Sequence, residues 1–155
     1  MIRSLTLAVL AAALALPAAA QEAPRWTIAI HGGAGTIERA QMTPERDAEY
    51  RASLAAAVEA GSAVLRNGGS SLDAVQAAIE MMEDNPLFNA GRGAVFTADG
   101  TIALDASIMN GETMEAGAVA SVSRTRHPIA LARAVMERSG HVLLAEEGAD
   151  AFAAY

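Results

Sequence analysis

Apolar residues recur along this chain at three spacings, and each spacing predicts a different kind of segment. The first is nearly continuous: Leu5–Leu16 is uncharged and mainly apolar, preceded by Arg3 and followed by Pro17 and Ala18-Ala19-Ala20. A basic start, a short apolar run and small residues at a cleavage site make a secretory signal, so residues 1–20 are assigned to one. The run is short for a membrane span and lacks a basic stop behind it. Export to a periplasm or the exterior is expected, with Gln21 as the mature N-terminus and no membrane segment left.

The second spacing is helical. Thr43 is placed as an N-cap, with Pro44 at the first helical position and Glu45 complementing the dipole. Leu54, Val58, Gly61 and Leu65 then share a face, and Asn67-Gly68-Gly69 stops the helix. A second helix opens at Ser70 or Ser71 with the stripe Leu72, Val75, Ile79 and Met82, and Pro86 closes it. The pair predicts an αα-hairpin. A third helix runs from Pro128 to Gly140, and a fourth begins at Glu146.

The third spacing is that of strands. Trp26–Ile30 predicts a short strand running into His31-Gly32-Gly33-Ala34-Gly35. Ala94–Thr97, Ile102–Met109 and Ala116–Ser123 are separated by Asp99-Gly100 and Asn110-Gly111, which predicts an antiparallel meander. Val142–Ala145 is one further strand candidate. Strand, two helices, meander and helix make an α+β fold with helices covering a mostly antiparallel sheet.

Composition narrows the chemistry. The 155 residues suffice for one domain, and 52% hydrophobic against 19% charged residues makes it globular. Net charge is -7, against the basic face that a nucleic-acid partner needs. Cysteine is absent, and all 11 basic residues are arginine. Thiol nucleophiles, thiolate zinc sites, P-loop lysines and Schiff-base lysines are therefore excluded. No G-x-S-x-G, G-x-G-x-x-G or H-E-x-x-H pattern occurs.

Two glycine-rich stretches remain as candidates. His31–Gly35 either brings backbone N–H groups close to a ligand or is a tight turn after a strand. Pro86–Gly93 mixes Leu87 and Phe88 with turn residues, so it packs inward, and its carbonyls need partners. A bound cation or neighbouring N–H groups and water would serve. Asn89 is a site amide or a turn residue. Asp105, in an otherwise apolar strand, is a half-buried base or a salt-bridge partner of an arginine. His127, before Pro128, is a surface residue at a helix cap, and His141 is another surface residue.

Three separated motifs in order carry a resemblance. Ile28–Gly35, Leu72-Asp73-Ala74-Val75 and Asn85–Phe96 resemble the isoaspartyl peptidase/L-asparaginase family. Leu104-Asp105-Ala106, Met109-Asn110-Gly111 and Ala116–Ala120 continue the likeness, which covers the chain after residue 20. The resemblance implies an N-terminal-nucleophile hydrolase, a four-layer αββα sandwich of which residues 21–155 are the α-subunit portion. In that family a precursor cuts itself before a threonine, and the freed threonine attacks the side-chain amide of asparagine or an isoaspartyl bond. Its α-amine is the base. The threonines of this chain sit in other contexts, so the nucleophile is expected beyond Tyr155 and this portion alone is expected to be inactive.

The resemblance also implies an active-site wall of His31, Gly32, Gly33 and Asn89. It implies a structural sodium ion on the main-chain carbonyls of Met82, Glu83, Asn85, Phe88, Ala90 and Arg92. No catalytic cofactor is expected. Partners would be the β subunit of the same precursor, a small-molecule or short-peptide substrate, and a second copy in an (αβ)2 assembly. Glycosylasparaginase, a sibling in the superfamily, and a non-catalytic exported binding domain are the alternatives.

Overall fold

The computed structural model describes residues 26–33 and 42–154. The signal assigned to residues 1–20, and Ala34-Gly35 of the glycine run, lie outside the described residues. Helix α1 spans Pro44–Arg66. Thr43 Oγ1 accepts from the Arg46 amide at 3.2 Å, as the N-cap prediction requires. Helix α2 spans Ser71–Glu83 behind a reciprocal capping box of Ser70 and Asp73. The predicted hairpin of helices forms, but its seam differs from the predicted stripe. Ala57, Gly61 and Ser62 are the buried residues of α1, facing Ala74 and Ala78 of α2. Leu54, Val58 and Leu65 are only half-buried. Small side chains bring the two backbones close, and a Cβ at Gly61 would lie 2.8 Å from the Ala74 carbonyl oxygen.

Strand β1 (Leu104–Met109) pairs antiparallel with β2 (Ala116–Val122). Helix α3 (Pro128–Arg138) leads to strand β3 (Leu143–Ala145), which pairs parallel with β2, and then to α4 (Glu146–Phe152). The sheet order is β1-β2-β3. The predicted meander is thus corrected to a mixed sheet. Ala94–Thr97 and Trp26–Ile30 have the composition of strands but join no ladder among the described residues. The Asp99-Gly100 turn does form, with Gly100 at φ +73 and the Thr97 amide donating to the Thr101 carbonyl. Its flanks then diverge.

Leu104, Ile108, Val119 and Val122 bury one sheet face against Ile129, Ala132 and Val135 of α3. Each large side chain among them contributes roughly 1.5–3 kcal/mol on burial. Gly117 permits that closeness, because a Cβ there would collide with the Ala132 carbonyl and lie 2.5 Å from the Met136 nitrogen. Asp105 is exposed on the opposite face, and its Oδ1 accepts from the Ser121 amide at 2.9 Å. Ser121 has φ 54, and the β1–β2 register shifts between Leu104 and Ala106. Asp105 therefore braces a bulge, and it is exposed rather than half-buried as expected. No described helix is long and apolar enough to cross a membrane.

Candidate active-site wall and carbonyl loop

The segment 84–93 leaves α2 and winds back across its end. Asn85 organises it: Oδ1 accepts from the Leu87 amide at 3.0 Å while Nδ2 donates to Ser53 Oγ at 3.0 Å. Tyr50 donates its hydroxyl to the Leu87 carbonyl at 3.1 Å and meets the Phe88 ring edge-on at 6.1 Å. Phe88 is buried, as the inward packing predicted. Helix α1 thereby fixes the loop from one side.

The His31–Gly33 segment rests on the same platform. A Cβ at Gly32 would lie 2.7 Å from Leu54 Cδ2 and 3.4 Å from the Phe88 ring. Gly33 takes φ +108, a conformation open to glycine, and its amide donates to His31 Nδ1 at 3.2 Å. The result is a cleft of about 260 Å³ between His31-Gly32-Gly33 and Phe88-Asn89-Ala90, floored by Ile79 and Met82. All four residues expected at an active-site wall, His31, Gly32, Gly33 and Asn89, meet there. Asn89 also has the turn role, since its Oδ1 accepts from the Val95 amide at 3.0 Å. Any donation to a ligand must come from its Nδ2. Among the described residues the cleft lining holds no hydroxyl or thiol, so it can position a small polar ligand but supplies no nucleophile of those two kinds.

The loop's carbonyls are used in two ways. Those of Met82, Asn85, Phe88 and Ala90 each accept a backbone amide, from Asn85, Phe88, Ala90 and Gly93 in turn, and that of Met82 also faces the Asp84 amide. Those of Asn85, Phe88 and Ala90 keep a second lone pair. The carbonyl of Glu83 lies 2.5 Å from where a Cβ of Gly91 would sit, and those of Phe88 and Pro86 crowd the same position on Gly93. Glycine is required at both places, because the backbone packs there too closely to admit a side chain. Main-chain carbonyls are donors that a hard monovalent cation takes, with no charged side chain needed. Among the described residues, no group of three His, Asp or Glu side chains could hold a metal.

Beside the loop lies a polar cluster that sequence reasoning missed. Glu83 is 3% exposed; its Oε1 accepts from the Ile129 amide at 3.0 Å, and its Oε2 has no partner. Burial pushes its carboxyl up to about 7, against the Ile129 hydrogen bond that favours the charged form. Asp84 takes both arms of Arg126 at 2.8 and 2.9 Å and the His127 Nε2 proton at 3.1 Å. Those hydrogen bonds, Arg126 first, hold it down to about 2. His127 is the N-cap residue of α3, as expected, but it is a half-buried partner of Asp84 rather than a surface residue, and its side chain makes no capping hydrogen bond. The α3 amide it leaves is taken by Glu83. His141 is exposed, as expected.

An α+β unit with a glycine segment laid on an inward-wound carbonyl loop defines a class, and the comparisons agree on which. A sequence model of the asparaginase family matches residues 24–155, and the chain belongs to that family, whose fold is that of the N-terminal-nucleophile hydrolases. It is similar to the isoaspartyl peptidase of Salmonella typhimurium, 56% identical over 126 residues covering 81% of this chain and 40% of that protein. The isoaspartyl peptidase of Escherichia coli is 54% identical over 81% of this chain and 39% of its own length. The plant-type L-asparaginase of Pyrococcus abyssi is 50% identical, with 81% and 40% covered. The chain therefore spans about two fifths of the length of the curated relatives it matches.

Proposed function

We propose that this chain is the α portion of an amidohydrolase that splits the side-chain amide of L-asparagine and β-aspartyl peptide bonds. The observation that carries the reading is the meeting of His31–Gly33 with Phe88–Ala90 in one cleft. The names of the relatives, isoaspartyl peptidase and plant-type L-asparaginase, point the same way. In this reading the nucleophile is a threonine freed by self-cleavage beyond residue 155. Its oxygen adds to the amide carbon, ammonia or an amine leaves, and water releases aspartate from the acyl-enzyme. This chain supplies one wall: backbone groups of the glycine segment approach the substrate, and Asn89 Nδ2 is a donor beside it.

Residues 82–92 hold a sodium ion in this proposal, through the carbonyls of Met82, Glu83, Asn85, Phe88, Ala90 and Arg92. The spare lone pairs on the carbonyls of Asn85, Phe88 and Ala90 support it. Bound there, the ion fixes the loop that presents Asn89. A second sheet from the β portion completes a four-layer sandwich, stacking on the sheet face that carries exposed Asp105, Ser107 and Met109. The assembly pairs two such αβ units, and the protein is exported by the signal at residues 1–20.

The test is expression of the full-length precursor, followed by ammonia release from L-asparagine and aspartate release from a β-aspartyl dipeptide. Two subunits are expected, the second beginning with threonine, and residues 21–155 alone should be inactive. Precursor that stays uncut and turns over neither compound refutes the reading. Mass spectrometry of exported protein should find Gln21 at the N-terminus, and an intact Met1 would remove the signal assignment.

A further inference from the structure

Four asparagines occur in the chain, and the main-chain nitrogen that follows each is held differently. That nitrogen can attack the asparagine side chain when it is free and unhindered. Asn85 is followed by Pro86, whose nitrogen carries no hydrogen. After Asn89, the Ala90 amide donates to the Phe88 carbonyl at 2.8 Å. After Asn67, the Gly68 amide donates to the Leu65 carbonyl at 3.1 Å. Asn110 differs from all three. The Gly111 amide donates to no acceptor among the described residues, and a Cβ on Gly111 would have nothing within 4 Å.

The same turn presents the carbon to be attacked. Asn110 Oδ1 accepts from the Glu112 amide at 3.0 Å. The ring that this hydrogen bond closes contains both the Asn110 Cγ and the Gly111 nitrogen, so the side chain is folded over the peptide that follows it. The Glu112 amide also stands where negative charge develops once Cγ is attacked. Nδ2, the leaving group, donates to nothing among the described residues. Residues 111–115 are exposed, so water reaches the turn.

We propose that Asn110-Gly111 is a self-modification site at which the linkage becomes isoaspartyl. The Gly111 nitrogen bonds to the Asn110 Cγ and gives up its proton, the Cγ–Nδ2 bond breaks, and ammonia leaves with that proton. A cyclic imide remains. Water then opens it, at the main-chain carbonyl to leave an isoaspartyl bond or at Cγ to leave aspartate. Nothing is oxidised or reduced, and water is the only co-reactant. The isoaspartyl product puts an extra carbon into the main chain of a turn closed by the Asn110 amide on the Glu115 carbonyl and the Met114 amide on the Asn110 carbonyl, both at 2.8 Å. It also sets a new carboxylate in the turn that carries Glu112 and Glu115. Both changes loosen the link between β1 and β2. The proposal is independent of the activity proposed above.

The test incubates the full-length protein at mildly alkaline pH and follows each asparagine by peptide mapping, with electron-transfer fragmentation to tell isoaspartate from aspartate. Asn110 should convert about threefold to tenfold faster than Asn67, the factor for breaking one hydrogen bond before attack. Isoaspartate should be the main product there. In strong denaturant, where both nitrogens are free, the two Asn-Gly sites should react at similar rates. Gly111→Ala has room for its methyl group and should slow the reaction, because that group hinders the nitrogen. Asn67 reacting as fast as Asn110 in the folded protein overturns the proposal, as does an unchanged rate in Gly111→Ala. A preference for Asn110 that persists undiminished in denaturant also overturns it, since local sequence would then be the cause. Aspartate without isoaspartate at residue 110 overturns the imide route.

Discussion

Replacing Gly61 by alanine sets two effects of opposite sign against each other. Alanine in a helix interior is favoured over glycine by about 0.5–1 kcal/mol. The new methyl group would lie 2.5 Å from Ile28 Cδ1, 2.8 Å from the Ala74 carbonyl oxygen and 3.4 Å from the Ala78 methyl. The isoleucine tip can rotate away, but the carbonyl oxygen belongs to the backbone of α2. Relief requires the two helices to part, loosening Ala57, Ala74 and Ala78, which are exposed by no more than 1%. Overpacking of this kind costs about 1–3 kcal/mol. Gly61→Ala should therefore destabilise by about 1–2 kcal/mol, read as a lower urea midpoint with unchanged slope. Gly148 in α4 is the control, with no neighbour within 4 Å of its would-be Cβ and no positive φ. Gly148→Ala should stabilise by about 0.4–1 kcal/mol. A Gly61→Ala protein as stable as the parent, with Gly148→Ala behaving as stated, would refute the argument that α1 and α2 meet backbone to backbone.

Gly117→Ala should cost about 1–3 kcal/mol by the same overpacking argument, with no helical propensity to offset it, and thermal unfolding would read the loss. Tyr50→Phe removes the donor to the Leu87 carbonyl and should cost about 0.5–1.5 kcal/mol in urea unfolding, with faster proteolysis confined to residues 84–93. The Ser70 hydroxyl, then the Arg133 guanidinium, hold Asp73 down to about 2 from an ordinary 3.8. Its contribution is complete above 3.8 and is lost as the pH falls through about 2. Asp73→Ala should therefore cost about 0.5–1 kcal/mol near neutrality, modest because the group is half exposed, and the gap from the parent protein should close toward pH 2.

What the sequence made legible was local. Thr43-Pro44 and Ser70-x-x-Asp73 start helices through hydrogen bonds spanning three residues, so both starts could be placed from the chain alone. Trp26–Ile30 and Ala94–Thr97 carry strand composition, but a strand exists only with a partner, which composition does not provide. The parallel join of β3 to β2 crosses the whole of α3 and leaves no local trace. Asp105 could have been placed better. Alternation with Leu104 and Ile108 puts it on the face away from the core, and the apolar neighbours that suggested burial point the other way. Glu83 was marked for its carbonyl, through family resemblance. Its carboxyl, which caps a helix 46 residues later, has no signature in the chain. The glycine segment and the Asn89 loop were each visible, and their meeting over Phe88 was supplied by packing.

The mixed sheet also sets an order of assembly. Strands β1 and β2 are joined by the 110–115 turn, so their pairing closes a small loop at little entropic expense. Strand β3 can reach β2 only after the chain has passed through α3, and its three residues bring little pairing of their own. A nucleus of the β1–β2 hairpin with α3 docked at Gly117 is therefore the expected route, and β3 with α4 condenses onto it late. Substitutions in the hairpin turn should slow refolding, whereas substitutions in β3 should act almost wholly by hastening unfolding, a division that the two arms of a chevron plot separate.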